Sequence, residues 1–313
     1  MKAPFLNVKG LILLRKASGL TSFESLNTIK KALSTGKVGH TGTLDKFASG
    51  LLLVLIGQAL KLSPFFTFCE KEYLAEIRFG IETDTLDLEG EVAAEAEIPS
   101  RESVEAVLPG FRGNITQAPP EYSAVHINGK RAHELSRQGI RPEMKKRPVI
   151  IHELELVSWD PPFALIRVSC SAGTYIRSLA RDIALAVGSR AHLSALERTR
   201  IGGFHLSQSF EPKKNSENII EEIMEAIRPI NIKIFDALNL PYVFAEGDQS
   251  RKISHGQSLN DLIDKGLLKD LGRAGTDPKY IAVFGRGNEK EELIAVLEKK
   301  QAQWSYGHVF ADH

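Results

Sequence analysis

Residues 70–80 alternate apolar and polar with period two, which places Tyr73, Ala75, Ile77 and Phe79 on one face of an expected strand. Residues 8–16 begin as a buried strand, and residues 147–156 and 163–170 read as two strands joined across Trp159-Asp160-Pro161-Pro162. Helical spacing appears at Leu26, Ile29 and Leu33, after a turn over 17–22 in which Thr21 or Ser22 serves as cap. It returns over 218–227, and Pro229 ends it. The run Leu51-Leu52-Leu53-Val54-Leu55-Ile56-Gly57 is apolar at every position and fits a buried strand or helix. From Leu240 the texture changes to short strands around Val243 and 281–284, frequent glycines and a charged, helix-like stretch over 289–300, so a domain join is expected near residue 238.

Composition sets broad bounds. A chain of 313 residues, 42% hydrophobic and 25% charged, suffices for one large globular domain and a small one. The net charge of +1 does not announce a nucleic-acid partner, but local charge points to one. Over 124–147, Lys130, Arg131, Arg137, Arg141, Lys145, Lys146 and Arg147 outnumber Glu134 and Glu143. A basic insertion of this kind clamps a phosphate backbone, although a solvated charged face has the same composition. The two cysteines, Cys69 and Cys170, make neither a disulfide framework nor a zinc site and read as small buried hydrophobes in a reducing compartment. Residues 1–10 lack a cleavable apolar leader and no run reaches membrane-spanning length, so a cytoplasmic location with no membrane contact is expected.

The candidate chemistry sits in residues 39–50, where Gly39, Gly42 and Gly50 wind a tight loop around one acid, Asp45. A carboxylate held still in such a loop can serve as a nucleophile, and it can equally cap a helix that follows. Asp84, Asp87 and Glu89 miss the alternating offsets of a calcium loop, so 81–91 reads as a turn between strands and the acidic stretch on to Glu105 as a solvated face. No P-loop, dinucleotide fingerprint or ligand cluster is visible, and neither cofactor nor metal is expected.

The string Gly39-His40-Thr41-Gly42-Thr43-Leu44-Asp45, continuing through Ala48 and Gly50-Leu51-Leu52, resembles the signature of the TruB family of tRNA pseudouridine synthases. Six further stretches resemble that family in order: Leu13 to Ser22, Lys71 to Gly80, Gly80 to Gly90, Phe111 to Ala124, Cys170 to Ala184 and Ala191 to Phe204. Four positions depart from its pattern: Ala17 and Lys46 stand where Pro is usual, Ala184 where Gly is, and Glu197 where Arg is common.

The resemblance implies an α+β fold: a mixed, largely antiparallel central sheet flanked by helices over residues 1–238, with a small β-rich PUA-like RNA-binding domain over 239–313. It implies isomerisation of the T-loop uridine numbered 55 in tRNA, after the base is flipped out of its stack. Asp45 would be the nucleophile, Arg177 its partner and Tyr73 an aromatic on the uracil that handles the C5 proton. His40 would fill the gap left by the base, Tyr175 and Leu196 would line the pocket, and Lys16 is a candidate phosphate or active-site contact. The basic insertion would be a thumb closing on the T-stem loop. The partner expected is tRNA without a guide RNA, and the protein is expected to be a monomer. Rival readings are an RNA-folding protein in which Asp45 is incidental, and a related synthase guided by a separate RNA. A glycosidase would want a second catalytic acid near Asp45.

Overall fold

The computed structural model describes residues 8–123, 126–127, 129–132, 143–213, 216–264, 266–268, 278–286, 291–301 and 303–310. The strands of the first part of the chain are β1 (Gly10–Lys16), β2 (Val38–Thr41), β3 (Ser49–Ile56), β4 (Lys71–Phe79), β5 (Ile81–Thr83), β6 (Val92–Glu95), β7 (Gly113–Gln117), β8 (His126–Ile127), β9 (Lys130–Arg131), β10 (Arg147–Asp160), β11 (Phe163–Cys170), β12 (Ala191–Ile201) and β13 (Phe204–His205). Nine of them form one sheet in the order β1-β3-β12-β4-β11-β10-β7, with β2 added to β3 and β13 to β12. Within it β12 pairs with β3 in parallel and the other strand pairs are antiparallel, as the α+β expectation required.

The ambiguous apolar run becomes β3, and its composition has a packing reason. Leu51, Leu53 and Leu55 face one hydrophobic cluster while Leu52, Val54 and Ile56 face another, so both faces are covered and no polar position is needed. Each of these side chains, fully removed from water, contributes about 1.5–3 kcal/mol. On β4 the predicted alternation holds: Tyr73, Ala75, Ile77 and Phe79 enter a third cluster and the residues between them are partly exposed. The Ile176–Ala186 helix lays Ile176, Leu179, Ala180, Ile183 and Ala184 on that cluster, the i, i+3, i+4, i+7, i+8 stripe of a half-buried helix. The Asn27–Ala32 and Ile219–Ala226 helices follow their predicted spacing, and Thr21 and Glu24 bond each other's backbone N–H groups ahead of the first.

The C-terminal part forms a second sheet from β14 (Tyr242–Glu246), β15 (Tyr280–Arg286), β16 (Glu291–Lys300) and β17 (Gln303–Val309), in that order. Its own core includes Ile253 and Leu262 of two short helices. The helix expected over 289–300 is instead β16. Acids and lysines at its ends imitate helical charge pairing, but the centre is buried on both faces: Ile294 and Leu297 enter the module's own core while Val296 faces the large sheet. Against that sheet Phe235 and Phe284 meet edge to face at 5.2 Å between ring centroids.

Candidate active site

Asp45 lies between β2 and β3, on a loop that sequence features close tightly. Gly42 takes φ +73°, and Gly50 lets β12 approach so near that a Cβ there would stand 2.5 Å from the Arg198 nitrogen. No helix follows Asp45; the chain runs directly into β3, which removes the capping role as an explanation for the acid.

Two buried cations hold the loop. Lys16, at the end of β1, is fully buried, and its ammonium donates to Ala48 O at 2.5 Å, Ala17 O at 3.1 Å and Lys46 O at 3.3 Å. Lys16, expected as a phosphate or active-site contact, thus lies against the Asp45 loop with its three donors on carbonyls, of which those of Lys46 and Ala48 follow the acid in the loop. Burial lowers this ammonium to about 8. Arg198 of β12 is 1% exposed and donates to Leu51 O at 2.7 Å and Gly42 O at 3.0 Å, bracing the other side of the loop. Ser22 clamps Leu44 from outside, its hydroxyl both accepting from the Leu44 N–H and donating to the Leu44 carbonyl at 2.9 Å.

Arg177 reaches Asp45 from 132 residues away, at the first turn of the Ile176–Ala186 helix. Its Nη2 donates to Asp45 Oδ1 at 3.2 Å, and its Nε stands 3.0 Å from Oδ2 at an angle outside hydrogen-bond geometry. The guanidinium is not a surface group. Only 6% of its side chain is exposed, and it also donates to Thr85 O at 2.8 Å, Tyr122 O at 3.0 Å and Asp87 Oδ2 at 3.1 Å. A cation at a helix N-terminus opposes the helix dipole, and here two carboxylates offset that penalty. The helix start is fixed by the block over 111–124: Gln117 Oε1 accepts from the Tyr175 N–H at 2.8 Å, and Ser178 Oγ donates to Ala118 O at 2.7 Å.

Asp87 is the residue that sequence reasoning left in a turn. It is buried, and Oδ1 accepts from Thr85 Oγ1 at 2.6 Å and from the Glu89 N–H at 3.0 Å while Oδ2 takes Arg177. Arg177 thus sits between two acids. Burial pushes the Asp45 carboxyl above the ordinary carboxylate range; Arg177 pulls it back, Asp87 adds to the rise, and Lys16 opposes it. Solvent still reaches 40% of the Asp45 side chain, so a ligand can reach it too.

The aromatic and apolar candidates gather around this pair. Tyr73 and Leu196 are buried in the cluster that also holds Leu44 and Phe47 of the loop. Burial raises the Tyr73 hydroxyl, against the opposing pull of the Arg198 guanidinium. Tyr175 is half-buried, its hydroxyl raised by burial and exposed to the fields of Arg147, Arg177 and Asp45. His40 on β2 lies beside Arg198 and is lowered by burial, hence neutral near pH 7; its buried Nδ1 has no hydrogen-bond partner among the described residues. Of the basic insertion, Lys145, Lys146 and Arg147 are exposed at the entry to β10. Lys130 and Arg131 lie on β9, their side chains outside the described residues, and Arg137 and Arg141 lie outside the described residues altogether. Arg198 and Lys71 were also missed. Lys71 is a buried lysine at about 8 that donates to Thr67 O at 2.6 Å. Both residues stand inside stretches that carried the family resemblance, which was the available signal.

Comparison with known proteins places this site in a class. Residues 30–176, a span that contains Asp45 and ends one residue before Arg177, match the family model described as TruB family pseudouridylate synthase (N terminal domain), and the class this defines is that of RNA-modifying isomerases. The tRNA pseudouridine synthase B of Francisella tularensis subsp. novicida is 38% identical over 298 residues, which cover 92% of this chain and 95% of that protein. That of Borreliella burgdorferi is 48% identical over 203 residues, 64% of this chain and 72% of that protein. The chain belongs to the TruB family of pseudouridylate synthases. The fold alone is shared with a chain in the crystal structure of a Cbf5-Nop10-Gar1 complex, at 24% identity and a TM-score of 0.63, over 97% of this chain and 84% of that one.

Proposed function

We propose that this enzyme converts uridine 55 in the T loop of tRNA to pseudouridine, with Asp45 as nucleophile. The observation that carries the reading is the contact of Asp45 with Arg177, 132 residues apart, on an acid whose side chain is 40% exposed and whose loop packs through Leu44 and Phe47 into the cluster that holds Tyr73 and Leu196. The relatives' name supplies the substrate class, tRNA.

The reaction breaks the N1–C1′ bond, turns the uracil and joins C5 to C1′; the proton lost from C5 is balanced by one gained at N1. A base inside a stack cannot be reached, so the uridine is flipped out toward Asp45, and neutral His40 on β2 takes the vacated space. Asp45 attacks the substrate covalently, which divides one hard displacement into two easier ones. Arg177 keeps the carboxylate oriented and favours its ionised form. Burial keeps Tyr73 from standing as a phenolate, so it acts as a relay for the C5 proton, with Arg198 beside its hydroxyl. Lys145, Lys146 and Arg147 are the described part of a thumb on the RNA backbone. We assign residues 1–238 to catalysis and 239–313 to an RNA-binding module, in a cytoplasmic monomer that needs no guide RNA.

The test is pseudouridine mapping on an unmodified tRNA transcript incubated with the purified protein alone. Conversion of one T-loop uridine is expected. Conversion elsewhere, or only after a guide RNA is added, would overturn the reading.

A further inference from the structure

Lys46 directly follows Asp45, at a position where the family pattern usually has proline. Its backbone is pinned, since its carbonyl accepts from the Gly19 N–H at 2.9 Å and from Lys16 Nζ at 3.3 Å. Its side chain is free to move: 54% of it is exposed, and the ammonium stands 3.7 Å from Glu89 Oε1, on a side chain 42% exposed. At that distance the pair is an ion pair in contact with water rather than a tight hydrogen bond, and such pairs contribute little to stability. It nevertheless joins the Asp45 loop to the turn beside it, because the Glu89 N–H is bonded to Asp87, which in turn holds Arg177.

The other cations around Asp45 are committed. Lys16, Lys71 and Arg198 are buried on backbone carbonyls, and Arg177 is shared among Asp45, Asp87, Thr85 and Tyr122. Lys46 is the cation of the 42–48 loop, and its head group lies in solvent at the rim. A nucleotide whose ribose touches Asp45 carries its flanking phosphates on that same ribose, through the 3′ and 5′ oxygens, within a lysine side chain's length of the loop. Glu89 alone would repel such a phosphate, and Lys46 neutralises it beforehand.

We infer that Lys46 binds a phosphate flanking the target nucleotide, exchanging Glu89 for the phosphate when RNA docks. The inference rests on the reading of Asp45 as the nucleophile toward RNA. It makes Lys46 a substrate-binding residue placed by the same loop that places the nucleophile.

The experiment measures binding of the unmodified tRNA transcript to the full-length wild-type, Lys46→Gln and Lys46→Arg proteins between 50 and 200 mM salt, alongside steady-state kinetics. Loss of one phosphate contact lowers the slope of log affinity against log salt by about 0.7, equivalent to about 2.5-fold in the affinity ratio across that range. Lys46→Gln is expected to show this loss and a raised KM with kcat within twofold, the pattern of lost uniform binding. Lys46→Arg is expected to restore the wild-type slope, which a merely structural lysine would not require. An unchanged slope in Lys46→Gln, or an equal loss in Lys46→Arg, would overturn the inference. Wild-type turnover on the same transcript reports separately on the proposed function, because the slope is a binding measurement.

Discussion

Replacing Asp87 by Asn changes one atom and should be nearly as damaging as removing the side chain. Both carboxylate oxygens are acceptors on opposite sides: Oδ1 takes the Thr85 hydroxyl and the Glu89 N–H, and Oδ2 takes Arg177 Nη1 at 3.1 Å. An amide has one acceptor and one donor, so whichever way it turns, its NH2 faces a donor. The pair is buried on both sides, with 6% of each side chain exposed. Breaking a buried pair costs about 3–5 kcal/mol. Because Arg177 keeps Asp45, Thr85 O and Tyr122 O, the lower end applies, about 3 kcal/mol, equivalent to a fall of about 5–10 °C in melting temperature. The larger effect is on chemistry. A guanidinium no longer held from behind shifts relative to Asp45, and misplacement by about 1 Å costs on the order of 10²-fold in rate. Thermal denaturation and single-turnover conversion of tRNA transcript measure both. An Asp87→Asn enzyme that melts and turns over like wild type would refute the claim that Asp87 holds Arg177 in place.

Three further outcomes follow from the same geometry. With the ionised carboxylate proposed as the reactive form and burial raising the Asp45 pKa, kcat/KM should rise with pH through an acid limb lying above the ordinary carboxylate value of 3.8; Arg177→Gln should move that limb higher, and a downward move would contradict the proposed role of the guanidinium. Tyr73→Phe removes the proposed relay hydroxyl from a buried position without opening a cavity, so RNA binding and protein stability should persist while product formation stalls; full turnover would dismiss proton transfer by Tyr73. Converting Lys145, Lys146 and Arg147 together to Gln should reduce the salt slope of RNA binding by about 2 with little change in kcat, and an unchanged slope would take the thumb off the phosphate backbone.

Much of this was legible in the chain. The period-two face of β4 was decided by local pattern, since one of its sides is covered far more than the other. The apolar run of β3 announced burial but not its element type, because a strand covered on both faces has no polar phase to read. The same cause hid β16, where charged ends around a doubly buried centre imitate helical spacing. At the site, Asp45 and Arg177 could be picked out by resemblance, whereas their contact is a property of the sheet order that brings the 176–186 helix over the loop. Asp87 and Arg198 were invisible as site residues because a buried charge looks like a surface charge until its partners are known. The partners of Lys16 were hidden for the same reason: three carbonyl acceptors inside the fold take up its donors.

The central claim is that Asp45 is the group that reacts. Its most direct test replaces the carboxylate by an amide of the same shape and follows both turnover and affinity on unmodified tRNA transcript. Asp45→Asn should form no pseudouridine while binding the RNA within a few-fold of wild type, because Lys16, Arg198 and Ser22 still hold the loop. Pseudouridine formed by Asp45→Asn at the wild-type rate would contradict the account.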